Sequence, residues 1–518
     1  MNPIELKLFA SRLQSICDEM GGVLQRSAFS PNIKDRLDFS CAVFAPNGEL
    51  ASQAAHIPVH LGSMAYTMQA LVATQAWQPG DMLVINDPYL GGTHLPDVTL
   101  LAPVFRAVSA EPQLVGFVAN RAHHANIGCE TPGSMPLSDS IEEEGVLIPP
   151  TLLIRAGEFL SCGAKIDALL FDRPGVLSGD FSAQLGANLL AVDRLQGLVE
   201  SYGAELYSSA LTAVNDYGRR LSLAALGEVA SGIYRAEDFL DDDGFGGEGL
   251  ALRVSIEISE AGISYDFTES SDQVRGNLNC PESVAAAAAY YCHCCLLPVG
   301  APLCAGLFKD LKILTSKCSI VNPAFPAAVA AGNVETSMRL VDVVFRALAQ
   351  ALPHRIPAAS QGTMNNVAMG AAGANGARWD YYETLAGGAG AGPHRPGRSA
   401  VHTHMTNTLN TPAESLEYHY PLRLTRFAIR RGSGGLGLHA GGEGLIREIE
   451  FLEGAQVSLL TERRRFAPWG LGGGGDGEVG YNWLNGEKIA AKADIFAVAG
   501  DRLLIETPGG GGWGTSPD

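Results

Sequence analysis

The chain has 518 residues, 46% of them hydrophobic and 18% charged, so it can bury a large core and form two or more domains. Its formal net charge of −19 argues against nucleic acid and anionic membranes, which select basic surfaces, and leaves a protein or small molecule as partner. The longest apolar stretches fall short of the roughly 20 residues of a membrane span, the N-terminus lacks a basic start followed by an apolar block, and the ten cysteines read as reduced thiols, so a cytoplasmic protein is expected.

Ile4, Leu8, Phe9, Leu13, Ile16, Met20, Val23 and Leu24 recur at helical spacing, which predicts an opening helix over 4–28 that stops before Ser30-Pro31-Asn32. From 38 to about 118 the pattern shortens to strand-like pieces separated by Asn-Gly, Pro-Gly and Gly-Gly turns. Leu185, Leu189, Leu195 and Leu198 then mark one long helix over 181–227, with a boundary near residue 226. The turn LDDDGFGGEG comes next, then the paired strands ALRVSIEI and GISYDFT, and helix again over 283–297. From Thr425 the chain is Gly-rich and strand-like. The expected fold is α+β and multi-domain, with mixed sheets, helical segments and a β-rich C-terminal part, divided as 1–225, 226–424 and 425–518.

The run NDPYLGGTHLPD over 86–97 ends a strand and enters a Gly-Gly turn carrying His94 and Asp97. After another strand, NRAHHANIG over 120–128 carries His123 and His124. Imidazoles and a carboxylate converging from two strand ends suit a catalytic divalent metal, which needs about three protein ligands and an open position. Asp38, heading its own strand, is a natural extra ligand. Alternatively His94 and Asp97 cap a turn, and the adjacent histidines point to opposite faces so that at most one is active. Spacing leaves both readings open.

His402 and His404 share a face if the chain is extended there, with Asn407 and Asn410 after them; a strand of buried, satisfied histidines is the alternative. Glu144 could act as a general acid or base, or belong to a solvated acidic turn. Arg463, Arg464 and Arg465, ahead of the glycines at 472–475, could bind an anion, although turn glycines beside a solvated Arg cluster are the more ordinary reading. Cys292, His293, Cys294 and Cys295 suit core packing, Gly509–Gly512 a flexible or turn-forming terminus, and Asp241–Asp243 a turn. No GxxxxGK(S/T) phosphate loop occurs, so that motif does not supply ATP chemistry here.

NDPYLGGTHLPDVTLLAPVF, with NRAHHANIG and PGSM after it, resembles the signature of the hydantoinase B family, which includes 5-oxoprolinase halves and acetone and acetophenone carboxylase subunits. Further matching stretches, among them SPNIKDRLDFSCAVF, EEGVLIPP, VHTHMTNTLNTPAESLE and TPGGGGWG, occur in the expected order along nearly the whole chain. The resemblance implies an enzyme that works with an A-type subunit, which binds ATP and activates a small cyclic amide such as a hydantoin or 5-oxoproline. It places a zinc, manganese or iron ion at Asp38, His94, Asp97 and His123 or His124; ligands without thiolate do not choose among these metals. It also implies a catalytic, substrate-facing part for His402 and His404 and substrate binding by Asn120, Arg121 and Asn407. Division of labour makes chemical sense, because amide resonance opposes attack until the oxygen is phosphorylated, and a metal then favours attack by water. Ketone carboxylation, or a non-catalytic scaffold for the ATP-binding subunit, are the alternatives.

Overall fold

The opening helix runs Pro3–Ser27 in a computed structural model that describes residues 1–516 except 55, 61, 107–110 and 373–377. Asn2 accepts from the Ile4 and Glu5 amides while Glu5 accepts from the Asn2 amide, so the first turn is closed on both sides. Phe9, Leu13, Ile16, Met20 and Leu24 form its buried stripe. That stripe faces a seven-stranded sheet and a helix over Gly179–Tyr202. A second helix, Ala204–Leu226, comes directly after. The single helix expected over 181–227 is therefore two, because Gly203 adopts φ 75°, a conformation that ends a helix and suits glycine.

The sheet contains β1 (Phe39–Phe44), β2 (Leu50–Gln53), β3 (Met82–Ile85), β4 (Asp97–Arg106), β5 (Gln113–His123), β6 (Thr151–Arg155) and β7 (Glu158–Phe159), in spatial order β2-β1-β5-β4-β3-β6-β7. Every residue of β1 is buried, because a helix over Ser63–Leu71 and its Met64 and Met68 cover the second face. Such double burial erases the alternation that marks a one-faced strand. Register brings distant residues together here: β4 and β5 pair antiparallel with Asp97 opposite His123, and β1 pairs with β5 so that Phe39 faces Ala122. Three strand ends, carrying Asp38, Asp97 and His123, thus meet at one edge.

A four-stranded sheet of Gly232–Asp242, Glu248–Ser259, Gly262–Asp266 and Leu311–Leu314 forms the second core with helices Glu282–Cys294 and Ser337–Ala351. Cys292 and His293 are buried in it, and His293 meets Ser222 Oγ at 2.8 Å. Two more sheets use the rest of the chain. One combines Asn366–Ala372 and Arg378–Glu383 with Ala455–Leu460 and Lys492–Ala497, so its strands come from both sides of residue 424. The other holds Leu422–Arg430, Gly444–Phe451, Tyr481–Leu484, Glu487–Ile489 and Arg502–Glu506. The fold is α+β and multi-domain.

Two surface expectations are overturned. Of the arginine cluster only Arg465 is exposed: Arg463 is fully buried, 2.9 Å from Asp238 and 2.7 Å from Asp342, and Arg464 is half-buried and donates to Asn365 and Asn482. Gly509–Gly512 is no loose terminus either. These glycines are buried and bonded to other backbone segments, and a Cβ on Gly510 would lie 2.1 Å from the Ala389 carbonyl. Among the described residues, no helix is long and apolar enough to cross a membrane.

Candidate metal site

The loop before β4 is shaped by Asn86, whose side-chain amide donates to the carbonyls of Leu95 and Val146 and accepts from the Ile148 amide. Gly91 turns it with φ 91°. The result returns His94 to the strand end, where its Nε2 stands 3.2 Å from Asp97 Oδ1. His123 Nδ1 reaches the same oxygen at 3.1 Å and His94 Nε2 at 3.2 Å. Oδ2 of Asp97 is taken by Thr93 Oγ1, by His60 Nε2 at 3.2 Å and by Asn333 Nδ2 at 3.4 Å. One carboxylate oxygen is therefore saturated and the other is shared by two ring nitrogens.

This donor set fits a divalent metal. His94 Nδ1 lies 3.2 Å from the Ala330 carbonyl and can only donate to it, so in neutral imidazole Nε2 presents a lone pair to Asp97 Oδ1. Such an approach needs a cation or a proton between the atoms. Ligand bonds of about 2.0–2.1 Å in a tetrahedral shell put neighbouring ligand atoms about 3.3 Å apart, near the separations seen here. The imidazole-to-carbonyl bond is also the usual outer support of a ligating histidine. Burial alone would keep His94 uncharged, yet the Asp97 charge and the bonds to Asp97 and Ala330 raise its pKa. Burial likewise opposes ionisation of Asp97, but His94 and His60 hold its carboxyl well below the usual range. Of the His, Cys, Asp and Glu groupings among the described residues, only His94, Asp97 and His123 cluster with metal-ligand geometry. They open on a cavity of about 20 Å³ that Asp38, His60 and Asn333 also line, room for an ion or a water but not for a cyclic amide.

His60 and Asn333 carry no signal in the sequence that would place them here. His60 ends the short turn Pro58–His60, and Asn333 sits on a π-helical turn, Gly332–Thr336, a feature often found at functional sites. Neither lies near the histidine motifs in the sequence. Asp38 lines the cavity beside the three-atom group and outside it, its carbonyl accepting from the His123 amide at 3.0 Å.

The structure separates several of the other expected site residues from this cluster. His124 points to the opposite sheet face, because neighbours on a strand alternate; its ring stacks on Phe181 at 4.0 Å and Nε2 meets Gln184 Oε1 at 2.9 Å. Burial lowers its pKa. Asn120 donates to the Gln184 carbonyl and to Asn188, also away from the cavity. Arg121 is fully buried and donates to Thr99, Ser63, Thr67 and the Gly91 carbonyl, so it braces the His94 loop and does not face a substrate. His402, His404 and Asn407 do not form a strand; with His404 at φ 55° they line a separate, larger cavity of about 1210 Å³.

Glu144 is neither solvated nor in the metal cavity. Its Oε1 accepts from Ser138 Oγ and from the amides of Val329 and Ala330, the residue whose carbonyl holds His94. Burial pushes its carboxyl from 4.5 up to about 7. A raised carboxyl pKa makes the unfolded chain ionise first, so wild-type stability falls as pH rises from about 4.5 to 7 and the loss is complete above 7. Glu144→Gln keeps the accepting oxygen and removes the ionisation. Its stability relative to wild type should rise across that window by roughly 3 kcal/mol. Parallel unfolding free energies from pH 4 to 8 would refute this account.

A family model described as hydantoinase B/oxoprolinase matches residues 2–516. The chain is 39% identical to 5-oxoprolinase 1 of Arabidopsis thaliana over 99% of its own length, and spans 42% of that longer protein. Among solved structures, the ATP-dependent caprolactamase of Pseudomonas jessenii superposes with a TM-score of 0.91 at 27% identity, covering 100% of this chain and 92% of that one. Acetone carboxylase shares the fold, with a TM-score of 0.86 at 18% identity over 99% of this chain and 76% of that one. With residues 2–516 matched by one family model, the chain belongs to the hydantoinase B/oxoprolinase family.

Proposed function

We propose that this chain is the B-type part of a two-component, ATP-dependent hydrolase that opens a small cyclic amide. The observation that carries the reading is the buried meeting of His94 Nε2, Asp97 Oδ1 and His123 Nδ1 in a chain of this family. These residues would hold one divalent metal, with Asp38 at the cavity wall. When bound, the metal supplies Lewis acidity for attack by water on an activated amide carbon. Ala330 and Asp97 orient the His94 ring, and Thr93, His60 and Asn333 fix the Asp97 carboxylate. The Tyr382 ring, stacked on His123 at 4.8 Å, closes one side of the site against water.

The ATP step is assigned to an A-type partner subunit. Three facts support this: the chain has no phosphate loop of the GxxxxGK(S/T) kind, it spans 42% of the longer 5-oxoprolinase 1, and one structural neighbour is an ATP-dependent caprolactamase. Cytoplasmic residence fits such a reaction, which draws on the ATP pool. Purified alone, the chain should neither hydrolyse ATP nor open lactams; mixed with the A-type subunit it should do both, with ATP consumption stimulated by a lactam or hydantoin. ATP-driven ring opening by this chain alone would overturn the division of labour. Bicarbonate-dependent turnover of a ketone, with none of a lactam, would assign the complex to carboxylation.

A further inference from the structure

The cavity of about 1210 Å³ lined by His402, His404 and Asn407 has an unusual charge for this molecule. The chain carries 55 acidic residues and a net charge of −19. Among the described residues lining this cavity there is no Asp or Glu, whereas Arg355, Arg395, Arg398 and four histidines are present. The guanidinium groups of Arg395 and Arg398 have no hydrogen-bond or ion-pair partner among the described residues. Deeper in, both ring nitrogens of His402 are shielded from solvent and without partners. Close enough for its charge to act on that ring is Arg36, a fully buried cation whose bonds go to the Tyr382 carbonyl and Thr384 Oγ1, with no carboxylate at ion-pair distance among the described residues. Burial, with the Arg36 charge, keeps His402 uncharged, its pKa lowered to about 3, so the ring can still donate one N–H. His404 is anchored alongside, with Nδ1 3.3 Å from Tyr291 OH and Nε2 3.6 Å from Asp342.

The cavity also adjoins the metal site. Thr408 lines both, and its neighbours Met405 and Thr406 line the smaller one. Unpaired guanidinium forks at the mouth and an unsatisfied imidazole at depth, with no Asp or Glu among the lining residues, favour a tetrahedral dianion, for which Arg supplies paired donors; the nearest carboxylates, Asp342 and Glu383, lie behind the lining His404 and Asn410 as their partners. We infer that this cavity binds the phosphoryl group of a small molecule next to the metal site, an inference that rests on the function proposed above. Two sources share that chemistry: the phosphorylated cyclic amide before ring opening and the inorganic phosphate after it.

Inorganic phosphate, titrated calorimetrically into the full chain, should bind saturably at one site, and acetate at equal concentration should not displace it. Arg395→Gln with Arg398→Gln should weaken binding at least tenfold, and His402→Asn should also weaken it. Asp97→Asn, which removes a metal ligand, should bind phosphate as wild type does. No saturable binding to wild type, displacement by acetate, or binding lost in Asp97→Asn but kept in the arginine variant would overturn the site. With the partner present, the arginine variant identifies the source. ATP consumption without ring opening points to the phosphorylated substrate, and intact coupling with lost inhibition by phosphate points to the product; either supports the site. Phosphate binding as expected, with metal and activity retained in Asp97→Asn, would leave this site standing while refuting the proposed metal chemistry.

Discussion

Asp97→Asn is expected to strip the divalent metal from the protein and to lower lactam-opening turnover by orders of magnitude, with the fold retained. The carboxylate is 1% exposed and meets both imidazole nitrogens through one oxygen. Asparagine keeps an acceptor of the same size for His60 and Thr93 but loses the charge that a metal or an imidazolium requires. Alanine would be a poorer test. A surface turn should tolerate alanine within about 0.5 kcal/mol, and the sequence suggests such a turn, but here it would leave the buried groups of Thr93, His60 and Asn333 unpaired at about 1–3 kcal/mol each. Elemental analysis of wild type should find about one transition metal per chain. His123→Ala should lose that metal. His124→Ala should keep it and melt earlier, because it gives up the Phe181 stack and the Gln184 bond. Full metal content in Asp97→Asn, or equal content in the two histidine variants, would place the ligands elsewhere.

Arg463→Met should cost about 3–5 kcal/mol of stability without changing metal content, since it removes the nearest counter-charge from two buried carboxylates and leaves only longer contacts, Arg339 at 3.6 Å from Asp238 and His404 at 3.6 Å from Asp342. Asp238 and Asp342, 2.9 and 2.7 Å from Arg463, are 5% and 1% exposed. Burial opposes ionisation of Asp238, and Arg463 with Arg339 overcomes it, holding that carboxyl below its usual range. The network continues through Arg339 to Glu462 at 3.4 Å and from Glu462 to Lys492 at 2.6 Å. It joins the strand Gly232–Asp242, the helix Ser337–Ala351 and the C-terminal strands, so its loss should be felt by the whole chain. Denaturant midpoints measure the effect. Adding Asp238→Asn and Asp342→Asn should recover part of the loss, because the undercompensated buried charges and not the missing contacts dominate the cost. A change below about 1 kcal/mol in Arg463→Met would show that water reaches the pair.

Much of the fold is legible in the sequence because its signals are local. The opening helix shows its apolar face at regular spacing, the strands around Asp97 and His123 are bounded by turn residues, and the α+β class emerges from the alternation of such pieces. On the helix Ser337–Ala351 the burial of Arg339 and Asp342 is hidden, because both look like solvated residues whereas they face inward to partners distant in the chain. The buried arginines and the packed terminal glycines mislead for the same reason: composition reports polarity and freedom, while burial depends on what arrives from elsewhere.

The candidate site divides along the same line. Residue types and turns alone single out His94, Asp97 and the His123-His124 pair on two strand ends as candidates for metal binding, beside the turn-capping alternative. Only the antiparallel register, which sets Asp97 opposite His123, chooses between the two histidines, since one residue along a strand reverses the side chain's face. Tertiary structure alone brings in His60 and Asn333, whose partner Asp97 is 37 and 236 residues away in sequence. Contacts across such separations leave no periodic trace in the chain, because they are made by the packing of whole elements.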